Sequence, residues 1–192
     1  MLVTFTIINV ASAPYLALIP LVIKDPQIFN GGAAIFGVYM ALSQVGAIIG
    51  GMILARKRIF ESNTKGVVLG QSLMYSSMLM VILGVFQLNL VFLLTGAILD
   101  GLSLPFSRVP SLTIFQTLVP SELQGRIMSI RQTISWTMIP IGEVIGGYMS
   151  DKIGIENVFL WGFLIGLVLS VYIWINTDFF KIENSYTNLT PD

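Results

Sequence analysis

Three ionisable side chains, Asp100, Arg108 and Glu143, lie inside long apolar stretches of this 192-residue sequence. A charge at the centre of a bilayer costs about 2.5–3.5 kcal/mol on insertion scales, so such residues usually face protein or water rather than lipid. A carboxyl group there can bind and release a proton, because burial favours its neutral form. Two interpretations stay open: a buried ion-pair network that only fixes helix packing, or the lining of a path for a substrate or an ion.

Polar and small residues accompany these three on two narrow helical faces, at about 100° per residue. The first face comprises Gly96, Asp100, Ser103, Ser107 and Ser111, with Arg108 at its edge, and the second comprises Ser129, Gln132, Trp136, Pro140, Glu143, Gly147 and Ser150. Because lipid does not accept such faces, we expect them to turn towards protein or a water-filled cavity. Further candidate cavity groups are Asn9, Tyr15 and Gln44.

The depths of the three ionisable residues differ. Counted along the apolar stretches, Asp100 and Glu143 lie at similar depth, somewhat outside the membrane midplane. Arg108 lies about two helical turns deeper, towards the cytoplasmic side. We therefore do not expect a direct ion pair between Arg108 and Glu143.

The elements that must position these residues are six apolar runs, each about as long as a bilayer is thick. A hydrocarbon core of about 30 Å needs about 20 apolar residues in a helix, and the backbone of such a run must pair internally. The chain is 55% hydrophobic and only 10% charged, with a mean hydropathy of +0.84, whereas a soluble domain has about 25% charged residues. The sequence therefore predicts an all-α polytopic membrane protein with a domain over residues 1–180 and a short tail over 181–192. The predicted spans are 2–23, 33–55, 66–86, 90–119, 126–150 and 158–176.

Composition excludes several kinds of chemistry. Without cysteine or histidine, the chain has no disulfide, thiolate nucleophile, usual zinc site or histidine acid–base pair. Its net charge of zero gives no reason to expect nucleic acid as a partner. We expect no metal and no cofactor.

The basic residues predict the orientation, because cytoplasmic loops carry an excess of lysine and arginine. Two positions on the opposite side, Lys24 and Lys152, contrast with seven basic residues on the side that we assign to the cytoplasm: Arg56, Lys57, Arg58, Lys65, Arg126, Arg131 and Lys181. We therefore expect both termini in the cytoplasm, and the short outer connections 24–32, 87–89 and 151–157 predict antiparallel neighbouring helices.

The six spans differ in character. Prolines in spans 1, 4 and 5 remove backbone hydrogen bonds and kink helices, and kinked helices with polar faces surround the central sites of transporters. Spans 2 and 6 carry small-residue stripes that favour close packing; the stripe on span 2 includes Tyr39, Ser43, Gly46 and Gly50. We expect spans 1, 2, 4 and 5 to line one concave face, with spans 3 and 6 outside it as lipid-facing or scaffold helices.

Two motifs resemble a known family. Between spans 4 and 5 the chain reads Q-x3-P-x2-L-Q-G-R-x2-S over residues 116–129, and G-x3-D-K-x-G follows over 147–154. These motifs resemble the C-terminal half of major facilitator superfamily transporters, nearest to the macrolide-efflux and siderophore-export branch. The motif residues are Gly125, Arg126, Gly147, Asp151, Lys152 and Gly154. From the residues themselves, Pro120 stops a helix, and Gly125 can end span 4 without steric cost.

The resemblance implies secondary transport of a small molecule, driven by a proton gradient. The superfamily has twelve spans in two halves, so six spans imply a partner: a second six-span half or a second copy of this chain. The glycine–aspartate motif of the family is best known from cytosolic gating loops, whereas here it falls on the predicted outer side, so the motif does not predict a gating role.

Two classes of function follow. The first is half of a proton-coupled exporter in the plasma membrane, acting on an amphipathic molecule such as a drug or siderophore, with Asp100 or Glu143 carrying the proton. The second is a non-transporting membrane protein, either a truncated transporter remnant or a helical assembly partner. An enzyme is not expected, because the sequence contains no recognisable catalytic constellation.

Overall fold

The structure is a computed structural model that describes residues 2–56 and 63–176; the side chains of residues 2–12, 173 and 176 are not described. Its elements are six α-helices: α1 (Leu2–Lys24), α2 (Ala33–Arg56), α3 (Asn63–Phe86), α4 (Leu90–Leu118), α5 (Ser121–Ile153) and α6 (Ile155–Asn176). Each helix overlaps one predicted span. The predicted tail 181–192 lies outside the described residues.

Four of the helices, α2, α3, α4 and α6, are long and apolar enough to cross a membrane. The part of α1 with described side chains, Ala13–Lys24, is apolar but short. Helix α5 has 33 residues, about 50 Å at 1.5 Å per residue, and it is the most polar of the six. The chain therefore folds as an all-helical bundle with four clear membrane-spanning candidates.

The helix ends follow from local chemistry. The Asn89 side chain accepts a 2.9 Å hydrogen bond from the backbone N–H of Val91 and so caps α4. Pro120 separates α4 from α5, because proline restricts the residue before it to extended backbone. Gly125 lies inside α5, so our expectation that it ends span 4 is wrong; Pro120 alone marks that boundary.

The connection between α5 and α6 is much shorter than the predicted loop 151–157. Gly154 alone joins the helices, with a φ of 85° and a ψ of 153°, a backbone region that is essentially restricted to glycine. Its N–H donates to the Ser150 carbonyl at 3.0 Å. The family-like motif residues Asp151 and Lys152 are exposed in the last turn of α5, and the Lys152 ammonium lies 5.8 Å from the centre of the Tyr148 ring.

The helices pack in two groups of three. Helix α4 lies between α2 and α3, whereas α1 packs against α5 and α6. Small residues allow the close approaches: Gly46 faces the backbone of α4 at Ile98, and Gly146 faces Pro14 of α1. This division follows from the positions of glycine, since a helix without a side chain at the crossing point lets its neighbour approach most closely.

Polar contacts between α3 and α6 join the two groups. The Tyr75 hydroxyl donates to the Gly166 carbonyl at 2.7 Å and also bonds to the Ser170 hydroxyl. The indole N–H of Trp174 donates to the Gln71 side-chain oxygen at 3.0 Å. Helix α3 contributes the largest set of described buried residues, so of the two expected roles, lipid-facing or scaffold, it has that of a packed scaffold helix.

The main apolar core is concentrated towards one end of the bundle, near the connections 25–32, 87–89 and 154. It includes Leu18 and Val22 of α1, Val81 of α3, Leu93 of α4 and Phe159 of α6, all of them buried. At the opposite end the core cluster is small and centres on Val67 and Ile114. The middle of the bundle, next to the main core, is where the polar side chains meet.

Candidate functional site

Asp100 is the acidic residue of the spanning helices that has polar neighbours on other helices. It lies on α4 and is partly buried, and the Ser43 hydroxyl of α2 donates a hydrogen bond to its carboxylate. The next residue, Gly101, packs directly on the Ser43 backbone. This close approach of α2 and α4 brings the serine within reach, because any side chain at residue 101 would hold the helices apart.

Two buried tyrosines lie beside this carboxylate. The Tyr15 hydroxyl of α1 and the Tyr39 hydroxyl of α2 are 2.9 Å apart, and both residues are only 4% exposed. Both hydroxyls are close enough to Asp100 for its negative charge to interact with them electrostatically. On α3, Ser77 is fully buried next to Tyr15 and donates to the Gly96 carbonyl of α4 at 2.8 Å. The four helices α1 to α4 therefore meet in one polar cluster: Tyr15, Tyr39, Ser43, Ser77 and Asp100.

The predicted polar face of α4 divides into buried and accessible parts. Ser103 is buried and donates to the Asp100 carbonyl at 2.6 Å, and Ser107 donates to the Leu104 carbonyl at 3.2 Å. Both hydroxyls are thus satisfied by their own helix. Arg108 is exposed, and its positive charge acts on Asp100 from a position about two turns further along α4. Within the described part of the chain, no ion pair joins Arg108 to Glu143.

The predicted polar face of α5 is mostly open. Trp136 is 69% exposed, Gln132 is exposed and Glu143 is partly buried. On α2, Gln44 is exposed as well. The structure therefore leaves these four side chains accessible, whereas it encloses Tyr15 in the polar cluster. The Asn9 side chain lies outside the described residues.

A contact between α4 and α5 involves Arg131, a residue that sequence reasoning counted only as a basic charge. A guanidinium nitrogen of Arg131 donates to the Ser111 hydroxyl at 3.1 Å, and the guanidinium carbon lies 5.9 Å from the centre of the Phe115 ring. Arg131 is partly buried and Ser111 is only 2% exposed. The arginine therefore ties the otherwise open half of α5 to α4.

Sequence reasoning also missed the roles of Tyr39, Ser43 and Ser77. Tyr39 and Ser43 are four residues apart and share a helical face with Gly46 and Gly50, which pointed to packing alone. The usable signal was the presence of two hydroxyl side chains on a glycine stripe, since a buried hydroxyl needs a partner on the neighbouring helix. Ser77 had no comparable signal.

The motif residues lie apart from this cluster. Gly125 and Arg126 are exposed near the start of α5, and a Cβ at Gly125 or Gly147 would meet no atom within 4 Å. Gly154 sets the corner between α5 and α6. The motif residues thus shape helix ends or lie open, and none of them belongs to the polar cluster. Among residues 2–56 and 63–176, no group of three acidic side chains could hold a metal ion.

Comparison with known proteins places this architecture in a family. The model of the transmembrane secretion effector family matches residues 1–190. The MFS-type transporter YvqJ of Bacillus subtilis is 29% identical over 181 residues, which cover 92% of this chain and 40% of that protein. Macrolide efflux protein A of Streptococcus pyogenes is 30% identical over 152 residues, which cover 77% of this chain and 36% of that protein.

The chain thus spans about two fifths of the length of these relatives. No solved structure matches it. The relatives are membrane transporters rather than enzymes, and the apolar helices agree with a multi-pass membrane protein. The family match over nearly the whole sequence confirms the resemblance drawn from the two motifs, and the chain belongs to the transmembrane secretion effector family of major facilitator transporters.

Proposed function

We propose that this chain is a six-span half of a proton-coupled exporter and that it acts on a small amphipathic molecule. The observation that carries the proposal is the position of Asp100. Its carboxylate is partly buried in the middle of the bundle, hydrogen-bonded to Ser43 and close to Tyr15 and Tyr39. A carboxyl group held by hydroxyls can gain or lose a proton without breaking an ion pair, and carboxyl groups inside membrane helices form the proton relays of pumps and transporters.

The substrate class is proposed from accessible side chains and from one relative. Gln44, Gln132 and Trp136 are exposed, and an indole ring beside amide groups suits a ligand with both apolar and polar parts. The printed name of the Streptococcus pyogenes relative includes macrolide efflux, and macrolides have this amphipathic character. A drug-like or siderophore-like molecule is therefore the substrate class that we propose for Gln44, Gln132, Trp136, Glu143 and Arg108.

A second six-span half is the proposed partner. Side chains such as Gln132, Trp136 and Arg108 would meet lipid if this bundle stood alone, and each intramembrane charge so exposed is costly. The relatives are about two and a half times as long as the matched region, which leaves room for another half. That half is a separate chain, another part of a longer polypeptide or a second copy of this sequence.

The proposed topology has six spans over residues 1–180, both termini in the cytoplasm and the plasma membrane as the location. Helices α1 and α5 join the four clear candidates as spans, with the polar face of α5 turned to the partner half. The basic residues near the helix ends that we assign to the cytoplasm support this orientation.

The test is efflux from vesicles that contain this chain together with a companion half. We expect substrate efflux that depends on an imposed proton gradient and is lost in Asp100→Asn, with normal expression and folding of the variant. Glu143→Gln is the corresponding variant of the second candidate proton carrier, on α5. Absence of substrate movement with every companion half, including a second copy of this chain, would favour the alternative of a non-transporting remnant or assembly partner.

A further inference from the structure

We propose that Tyr15 and Tyr39 are positioning residues for Asp100, and that their hydroxyl pair links the charge of Asp100 to the contact between α1 and α2. This inference rests on the proposed proton-coupled function and adds residues and a structural consequence to it. The argument starts from the division of the bundle into two groups of helices, because the tyrosine pair lies at the boundary between them.

The contact between α1 and α2 is weak apart from this pair. Helix α1 packs mainly on α5 and α6, and α2 packs mainly on α4, whereas α1 and α2 touch each other at few positions. The Tyr15–Tyr39 hydrogen bond crosses this boundary at 2.9 Å in a buried environment. A buried hydroxyl that loses its partner is costly, because it cannot regain a hydrogen bond from water, so this bond stabilises a boundary at which the two helix backbones approach each other at few positions.

The tyrosine pair is connected to Asp100 through α2. Tyr39 and Ser43 are one helical turn apart on the same face, and Ser43 donates to the carboxylate. The negative charge of Asp100 acts on both tyrosine hydroxyls. An ionised carboxylate only accepts hydrogen bonds, whereas a protonated one also donates. Protonation of Asp100 therefore changes whether the neighbouring hydroxyls donate hydrogen bonds to the carboxyl group or accept one from it.

The remaining charged and titratable groups around Asp100 are few among the described residues. Arg108 acts on it from α4. From helix α3, Ser77 faces the cluster, and its hydroxyl does not titrate. The tyrosine of the same helix, Tyr75, bonds to α6 instead. Arg131 of α5 contacts α4 further along, at Ser111. Asp100 is thus the carboxyl group of the cluster, and the other four members carry hydroxyl groups.

The direction of the effect follows from the charge. At higher pH the ionised carboxylate attracts hydroxyl donors and holds α2 and α1 together through Ser43 and the tyrosine pair. When the pH falls and Asp100 takes up a proton, this attraction weakens and the α1–α2 boundary opens. Proton binding is thereby converted into a movement of α1 relative to α2 and α4.

The test measures the distance between α1 and α2 directly. Because the sequence has no cysteine, spin labels can be attached to Leu16→Cys and Met40→Cys, which replace exposed residues next to Tyr15 and Tyr39. The full chain in nanodiscs is studied by pulsed electron paramagnetic resonance from acid to alkaline pH. We expect the distance between the labels to increase on acidification, to stay at its acid value at every pH in Asp100→Asn, and to lose its pH response in Tyr39→Phe.

Tyr75→Phe is the matched control, since it removes another buried tyrosine hydroxyl, which is bonded to Ser170 of α6 rather than to the cluster, and it should keep the native pH response. The proposal is overturned if the parent chain shows no pH response, if Tyr39→Phe responds like the parent, or if Tyr75→Phe abolishes the response equally. The measurement needs no substrate. A pH-dependent distance without proton-dependent efflux would therefore leave the linkage standing while the transport function fails.

Discussion

The backbone of Ser43 on α2 packs directly against Gly101 on α4, and this contact leaves no room for a side chain at residue 101. Gly46, one turn further along α2, packs on the α4 backbone at Ile98 in the same way. These two contacts set the distance between the helices. They also place the Ser43 hydroxyl on Asp100, so the packing of two glycines determines the geometry of the proposed proton site.

Replacing Gly101 by alanine should separate α2 from α4. A Cβ at this position would overlap the Ser43 carbonyl, and overpacking of this kind costs about 1–3 kcal/mol. We expect Gly101→Ala to lower the thermal unfolding midpoint of the detergent-solubilised protein. Gly51→Ala is the control on α2, because a Cβ there meets no atom within 4 Å; an equal loss in both variants would contradict the close contact.

Replacing Glu143 by glutamine should affect transport more than stability. Glu143 is only partly buried and makes no ion pair with Arg108 among the described residues. Breaking a buried pair would cost about 3–5 kcal/mol, so we expect the unfolding midpoint of Glu143→Gln to stay close to that of the parent. We expect this stable variant to lose the pH dependence of efflux, because glutamine cannot ionise.

The double variant Arg108→Gln with Glu143→Gln separates a structural from a functional role for these charges. We expect its stability to equal the sum of the two single effects, because unconnected residues act additively. A clear rescue of stability in the double variant would instead mean that the two side chains form a pair.

Arg131 should stabilise the junction between α4 and α5. Loss of its hydrogen bond to Ser111 and of its contact with the Phe115 ring should destabilise the protein by about 1–2 kcal/mol in Arg131→Gln, since a hydrogen bond from a charged group and a cation–π contact each contribute on this order. Arg126→Gln changes an exposed residue and is the control. Equal unfolding midpoints for the two variants would refute the stabilising role.

Gly154 should resist substitution. Its φ of 85° and ψ of 153° fall where other residues are strained by about 1–3 kcal/mol, and an added Cβ would lie 3.0 Å from a Glu156 carboxylate oxygen. We expect Gly154→Ala to lower the unfolding midpoint. Gly125→Ala, within α5 and with free space around it, should be neutral or slightly stabilising; the reverse order would mean that this corner is built differently.

The topology can be tested with single cysteines, since the sequence has none. A cysteine at the exposed Leu88, between α3 and α4, should react with a membrane-impermeant thiol reagent added outside intact cells. A cysteine at Arg56 should react only after the membrane is opened. The opposite pattern would invert the proposed orientation.

The sequence determined most of the helices and their boundaries. Run length and hydropathy act locally, so the six runs overlap the six helices, and Asn89 and Pro120 mark ends that local chemistry sets. The missed details have physical reasons too: Gly125 tolerates a helix, and Gly154 shortens the predicted 151–157 loop to one residue because its backbone can turn without strain.

The partners of the polar residues were decided only by tertiary structure. Periodicity grouped Asp100 with the serines of α4, but it could not indicate that Ser103 and Ser107 bond within their own helix while Ser43 reaches Asp100 from α2. Helical periodicity describes one helix at a time, whereas the Tyr15–Tyr39 pair depends on how closely glycines allow separate helices to approach. The sequence therefore established which side chains need a partner, and the packing of α1, α2 and α4 determined which partner each one has.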